Sequence, residues 1–394
     1  MTGGSNGWSN WSGRSRSEQA EVRFVRSIDD VAATVADATA RGRTVRVAGS
    51  GHSHFPLVPT DDVVLDISGL SGVIGVDTDR LVASVYGGTT IAALGRPLHD
   101  AGVAVPNQGD IDRQTIAGAT ATGTHGTGRT LGNLSTRVAG LTLVTADGTV
   151  VHASEQEQPA LWRAARLGLG AFGVVVELDL AVVPAFRLAE SAFPSTYDDL
   201  RPEIDRLVHE HRHAEFFWYP QSDRAFVKII DETDEPASYP IADEGSRVGW
   251  NYEVLPNHRP RVHTEMEFAV PYDRSLACLD EIRELVTARF PEVKMPVEYR
   301  TVAADDVWLS PAYERDTATI SVHRLIEFDD RPYFDACEEV FRRYDGRPHW
   351  GKMHAFSGAD LAGVHPRWTE WWSQRDAADP TGTFLNDVLR SWRL

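Results

Sequence analysis

Between residues 106 and 132 the chain is packed with Gly, Thr, Ala and Asn and carries few large apolar side chains. A structureless loop of that length inside a compact domain is either functional or disordered. Its surroundings read as ordered. A helical pattern over 89–101 precedes it, and a strand pair over 139–145 and 149–152, turned at Asp147-Gly148, follows it. Small residues held between regular elements allow close approach of backbone N–H groups to a bound group. The segment therefore reads as cofactor-contacting.

A second cluster of small residues points the same way. A short β-branched strand at 44–47 runs into Gly49-Ser50-Gly51-His52-Ser53-His54. The dinucleotide fingerprint is incomplete, because His54 stands where its third glycine belongs. Both a phosphate-approaching loop and a plain tight turn remain open on spacing alone. Gly168-Leu169-Gly170-Ala171-Phe172-Gly173 matches GxGxxG but follows a helix and precedes a strand. That order is the reverse of a Rossmann unit, so it reads as a helix C-terminal turn.

Charge and cysteine usage narrow the class. Acids number 57 against 39 Lys and Arg, a formal net charge of −18. That balance argues against nucleic acid and anionic membrane surfaces as partners. Two cysteines, Cys278 and Cys337, give neither a metal pair nor a disulfide framework, and a reducing, cytoplasmic setting is expected. No apolar run reaches the roughly 18 residues of a membrane helix. Residues 1–16 are rich in Gly, Ser and Asn and read as a flexible tail, although Trp8 and Trp11 are large for a solvated segment. Charges, aromatics and prolines rise near residue 187, and 8 of the 11 tryptophans lie beyond it. The expected division is thus 17–187 and 188–394.

In the second half, His209-Glu210-His211-Arg212-His213 matches HExxH on a helix expected over 200–213. No glycine turn or third ligand follows, so the reading is solvated histidines, and no metal site is expected. Glu298-x-Arg300 and Ser321-x-His323 lie on expected strands, where alternate residues share a face. A structural ion pair and a hydrogen-bonded Ser and His are the plain readings; a grip on a hydroxylated substrate is the functional one. Lys352 follows His349-Trp350-Gly351, a context that suggests partial burial.

In order and spacing these pieces resemble one family. Val45-Arg46-Val47-Ala48-Gly49-Ser50-Gly51-His52-Ser53 is similar to the flavin-attachment loop of the vanillyl-alcohol oxidase superfamily. Pro106-Asn107-Gln108-Gly109-Asp110-Ile111, Thr115-Ile116-Ala117-Gly118 and Ala121-Thr122-Gly123-Thr124-His125-Gly126 resemble its second flavin segment. Val297-Glu298-Tyr299-Arg300, Trp308-Leu309-Ser310, Arg347-Pro348-His349-Trp350-Gly351-Lys352 and Asp379-Pro380-x-Gly382-x-Phe384-x-Asn386 resemble its sugar-1,4-lactone oxidase and alditol oxidase branch.

The resemblance implies an α+β fold: an FAD-binding domain (17–187) and an α+β cap or substrate domain (188–394), with a segment of about 345–394 returning to the flavin. It implies FAD, attached through His52, with His54 a near alternative. Flavin contacts are implied at Val47, Ala48, Gly49, Ser50, Gly51, His52, Ser53, Gly109, Asp110, Thr115, Gly118, Thr122, Gly123, Thr124, His125, Val175 and Lys352. Catalytic roles are implied for Glu298, Arg300, His323 and Lys352. Ser321-x-His323 stands where alditol oxidases carry His-x-Thr, and the longer run from Gly109 to Gln114 is closer to the lactone oxidases. A glycine at the Gly109 position is associated with oxygen access. The implied activity is oxidation of a carbohydrate alcohol, foremost a sugar-1,4-lactone, with hydride passing to flavin N5 and O2 giving H2O2. A polyol substrate, a flavin dehydrogenase and a larger sugar-bearing substrate are the alternatives.

Overall fold

The computed structural model describes residues 6–257 and 259–394. Among them, sheets of four, five and eight strands carry the fold. The first orders Asn6–Ser9, Arg16–Phe24, Val63–Asp66 and Val45–Ala48, with Val63–Asp66 parallel to both neighbours. The helix Ile28–Ala40 makes the crossover. Ser27 and Asp30 close a capping box at its start, and Val31, Val35 and Ala38 form its buried stripe.

The tail expected over 1–16 is corrected in its described part. Asn6–Ser9 pairs antiparallel with Arg16–Phe24, and the Trp11 N–H donates to the Gly51 carbonyl at 2.8 Å. Trp8 packs against Ala20, Ala48 and Val64. Burying indole surface offsets the entropy lost by ordering Gly and Ser. Residues 1–5 of that expectation lie outside the described residues.

The second sheet orders Val73–Asp77, Val82–Tyr86, Val174–Ala181, Val138–Val144 and Val150–Ser154, all antiparallel. The strand pair expected over 139–152 is present, and Val73–Asp77 pairs with Val82–Tyr86 as a second hairpin. The small-residue segment between them wraps the short helix Ile116–Ala121 against the first two sheets.

The eight-stranded sheet is antiparallel throughout: Val248–Trp250, Arg187–Thr196, Arg224–Glu232, His213–Tyr219, Val297–Val302, Thr317–Leu325, His263–Pro271 and Arg347–Pro348. Its central strands are buried on both faces. One face carries Phe216, Tyr299, Phe268, Ile320 and Val322, packed under the helices Tyr272–Arg289 and Arg331–Arg343. The stacked pairs Phe216–Tyr299 and Phe268–Phe341, with ring centroids 5.1 and 4.9 Å apart, lie in that layer. Period-two alternation then puts Glu215, Glu265, Glu267, Glu298, Arg300, Ser321 and His323 on the other face.

The expected helix over 200–213 is shorter. It ends at Glu210, and His213 opens the next strand. His209 bonds to the Asp205 carbonyl of its own helix, whereas His213 is buried with Nδ1 on the Thr127 carbonyl at 2.8 Å. The two histidines sit on different elements, so the HExxH geometry is not formed, and His213 is not solvated.

The last fifty residues close on the first sheet. Trp350 stacks with His365 and Trp368, and its Nε1 donates to the Leu309 carbonyl at 2.7 Å. The Gly351 carbonyl accepts from His54 N at 2.7 Å, the Thr383 carbonyl from Val45 N at 2.8 Å, and the Phe384 carbonyl from Arg46 Nη1 at 2.5 Å. No helix among the described residues is long and apolar enough to cross a membrane.

Candidate active site

Two connected cavities meet at His52 and Gln114. The first is a narrow channel between the first two sheets. Val47, Gly49, Ser50, Gly51, His52, Ser53, Thr115, Gly118, Thr122 and Val175 line it. Gly168, Gly170 and Gly173 line it too, so the GxGxxG turn contributes to the channel without being a Rossmann loop. Gly49 is required by closeness: a Cβ there would lie 2.2 Å from Thr115 Oγ1. Ala48 departs from expectation, because its side chain packs into the small core with Ala20 and Val64. Gly123 also departs, facing a separate small void beside Asn133 and Ser310.

The second cavity, about 1070 Å³, lies over the polar face of the eight-stranded sheet. Gly109, Asp110, Thr124, His125, Glu298, Arg300, His323 and Lys352 all line it. Asp110 was expected to meet the cofactor; its carboxylate instead joins an ion-pair network. Arg300 reaches Glu298 at 2.6 Å, Glu215 at 2.6 Å and Asp110 at 3.0 Å. Lys228 holds the other Glu215 oxygen at 2.5 Å, and Arg259 holds Asp110 at 2.7 Å. The carboxyls of Glu298, Glu215 and Asp110 thus share the cations of Arg300, Lys228 and Arg259.

Glu215 and Asp110 each meet more than one of these cations, whereas Glu298 meets only Arg300 among them. Burial pushes its carboxyl up to about 8 against the pull of Arg300, with Glu215, Asp110 and Glu265 adding to the rise. Burial would lower the Arg300 guanidinium, but Glu215 and Glu298 hold it well above its ordinary value. Arg300 is therefore a fixed cation, and Glu298 is the member of the pair whose ionisation burial opposes.

Adjacent to this pair is His323. Its Nδ1 donates to the Pro296 carbonyl at 2.9 Å, which leaves the Nε2 lone pair facing the cavity. Nε2 lies 3.7 Å from Glu265 and 3.9 Å from Glu298. Burial lowers this imidazole to about 4, partly opposed by Glu265. Lys352 contacts the Glu265 carboxylate. Burial alone would raise Glu265; Lys352 and His323 carry it well below the carboxylate range. Behind them, Glu267 accepts from His125 Nε2 at 2.8 Å and Ser321 Oγ at 2.7 Å.

His52 stacks on Trp11, ring centroids 5.8 Å apart, and burial lowers its pKa. Glu215, Lys228, Arg259, Glu265 and Glu267 were missed from sequence. Glu265-x-Glu267 inside an apolar strand was the readable signal, with the same one-face spacing as Glu298-x-Arg300.

The profile described as D-arabinono-1,4-lactone oxidase matches residues 178–248 and 242–392, and an FAD binding domain profile matches 20–154. The chain belongs to the D-arabinono-1,4-lactone oxidase family. Similar members include an L-gulono-1,4-lactone dehydrogenase of Mycobacterium tuberculosis, 35% identical over 97% of this chain and 98% of that one. An alditol oxidase of a Streptomyces species is 30% identical over 97% of each chain. An L-gulonolactone oxidase of Bos taurus is 29% identical over 92% of each. A cholesterol oxidase crystal structure from B. sterolicum superposes with a TM-score of 0.87 at 17% identity, covering 98% of this chain and 96% of that one. The family fold is the FAD-binding vanillyl-alcohol oxidase type, and the chain is an FAD-dependent oxidoreductase. Its channel suits that cofactor: a wall of small residues at Gly49, Gly51 and Gly118 with the hydroxyls of Ser50, Ser53 and Thr122, opening at His52 and Gln114 into the second cavity, where the buried Thr124 Oγ1 has no hydrogen-bond partner.

Proposed function

We propose that the protein is an oxidase of a sugar-1,4-lactone of the arabinono- or gulono-lactone type, converting a ring or adjacent carbinol to a carbonyl. The observation that carries this reading is the single cavity shared by His52, the Glu298–Arg300 pair and the His323 Nε2 lone pair.

FAD, when bound, would supply a hydride acceptor that O2 and protons can reoxidise, with H2O2 as the product. The Gly49 to Ser53 loop and the Gly118 to His125 segment would hold its pyrophosphate and ribityl chain. His52, neutral because burial lowers it, would be the attachment residue. Lys352 would sit by the flavin edge where negative charge develops, its position set by Glu265.

The remaining work falls to side chains of the sheet. Arg300, steered by Glu215 and Asp110, binds and polarises the reacting hydroxyl, and Glu298 as a neutral carboxyl shares that bond. His323 Nε2 takes the hydroxyl proton as the carbinol hydrogen leaves with its electron pair. The imidazolium so formed is met by the Glu265 carboxylate. Aligning the carbinol against these groups supplies much of the rate.

Oxygen as acceptor is supported by Gly109. A Cβ there would lie 3.1 Å from the His125 carbonyl and 3.5 Å from Thr124 Cγ2, at the junction of segment and cavity. An alditol substrate is the second reading, favoured by the Streptomyces relative. A cytoplasmic setting belongs to the proposal, since Cys278 and Cys337 are free and buried.

The test has two steps. Acid precipitation of the yellow protein should leave the colour in the pellet; a white pellet under yellow supernatant refutes attachment at His52. Peroxide detection across 1,4-lactones and polyols should show turnover with a lactone first. Flavin reduction by lactone without peroxide would make the protein a dehydrogenase.

A further inference from the structure

The turn between the strands Asn6–Ser9 and Arg16–Phe24 lies against the loop that carries His52. Trp11 N donates to the Gly51 carbonyl at 2.8 Å, and Asn10 Nδ2 donates to the Ser53 carbonyl at 2.9 Å. Two consecutive residues of the turn thus grip the two chain neighbours of His52. The approach is close: Gly51 has a φ of +68°, and a Cβ there would lie 3.3 Å from Asn10 Cα.

The turn is itself fixed. Asn10 is 5% exposed, and its Oδ1 accepts from Ser15 N at 3.1 Å and Ser12 Oγ at 3.3 Å. Arg14 Nη2 donates to the Ile326 carbonyl at 2.8 Å, which ties the turn to the eight-stranded sheet just past Thr317–Leu325. Held from both sides, the Trp11 indole lies over the His52 ring, with planes 28° apart. The rings of His263 and His54 meet that indole edge-on at 5.6 and 6.4 Å. Among the described residues no hydrogen bond reaches the His52 ring, so its plane is set by the indole.

We propose that Trp11 is a positioning residue for flavin attachment: its indole fixes the plane of the His52 imidazole so that a ring nitrogen faces the channel that His52 helps to line. This rests on the reading of His52 as the attachment residue. Joining an imidazole nitrogen to a methyl carbon of the flavin ring forms one N–C bond and breaks one N–H and one C–H bond. Two electrons stay on the flavin, and O2 takes them with the two protons as H2O2. The nitrogen lone pair lies in the ring plane, so a turned imidazole cannot form that bond. An aromatic pair is worth about three- to tenfold in the population of one ring orientation. The segment that reads as a tail in the sequence thereby acts on the cofactor loop without touching the reacting hydroxyl.

The test follows acid-precipitable flavin in the purified holoprotein, incubated in air with added FAD. The unaltered protein should carry its flavin fully attached from the start. Trp11→Ala and Trp11→Leu should hold the same total flavin per chain but attach it about three- to tenfold more slowly, the worth of the lost aromatic pair. Trp11→Phe keeps a flat face and should restore the rate. Total flavin and circular dichroism check folding, and Leu against Phe still decides if the alanine variant fails to fold. Attachment as fast in Trp11→Leu as in Trp11→Phe overturns the proposal and leaves His52 as the attachment residue. A white pellet from the unaltered protein overturns it together with that attachment.

Discussion

Replacing Glu298 by Gln tests the charge balance at the centre of the site. Its carboxyl is raised from 4.5 to about 8 in the folded protein, chiefly by burial. A carboxyl with a raised folded pKa binds its proton more tightly folded than unfolded. Its contribution is fully present below about pH 4.5 and is lost as pH rises to about 8. Each pH unit in that window changes stability by about 1.4 kcal/mol, so pH 5 to 8 spans on the order of 4 kcal/mol. The Gln variant has nothing to ionise. Near pH 5 the two proteins should be close in stability, because a neutral carboxyl and an amide make similar bonds. By pH 8 the variant should be the more stable. Unfolding entropy of about 2.1 cal/mol/K per residue gives roughly 0.8 kcal/mol/K for a chain of this length, so the gap should approach 5 °C. Melting of the holoenzyme in matched buffers measures it, since all other groups titrate alike in both proteins. Parallel profiles between pH 5 and 8 refute the reasoning. Parallel profiles with the variant less stable by a constant amount would mean that Glu298 is already ionised and paired with Arg300 throughout that range.

Three further expectations concern the cofactor and the reaction. Gly49→Ala forces the Thr115 side chain aside and narrows the channel, at about 1–3 kcal/mol of overpacking; flavin content after gel filtration should fall, while Gly75→Ala, with open space around its Cβ, should retain it. His52→Ala should abolish acid-stable flavin yet leave FAD bound, and a surviving covalent adduct would move the attachment to His54. Gly109→Ala should slow reoxidation by oxygen more than reduction by substrate in stopped-flow traces, and equal slowing would remove Gly109 from the oxygen path.

What was legible in the sequence was local. The His52 loop follows a strand that needs only its own β-branched residues to form, and Glu298-x-Arg300 and Ser321-x-His323 share a face because strand alternation dictates it. Glu215 and Lys228 were invisible because they become partners only through strand pairing. Glu215 opposes Lys228 in one pair of strands, and Glu265 opposes His323 in another. Such register is set by the whole sheet, not by nearby residues. His213 was misread because a helical period was carried three residues beyond the point where the next strand claims the chain. Trp8 and Trp11 were the hint against a flexible tail: Trp8 packs on the small core, and Trp11, still partly exposed, stacks on His52.

The loop that carries His52 is completed from far down the chain, by carbonyls of Gly351, Thr383 and Phe384. A nascent chain that has not yet extended past residue 384 lacks those three acceptors, however well its first half has folded. Cofactor uptake should thus report on finished translation: chains truncated before their closing segment are expected to stay colourless beside full-length ones in the same extract.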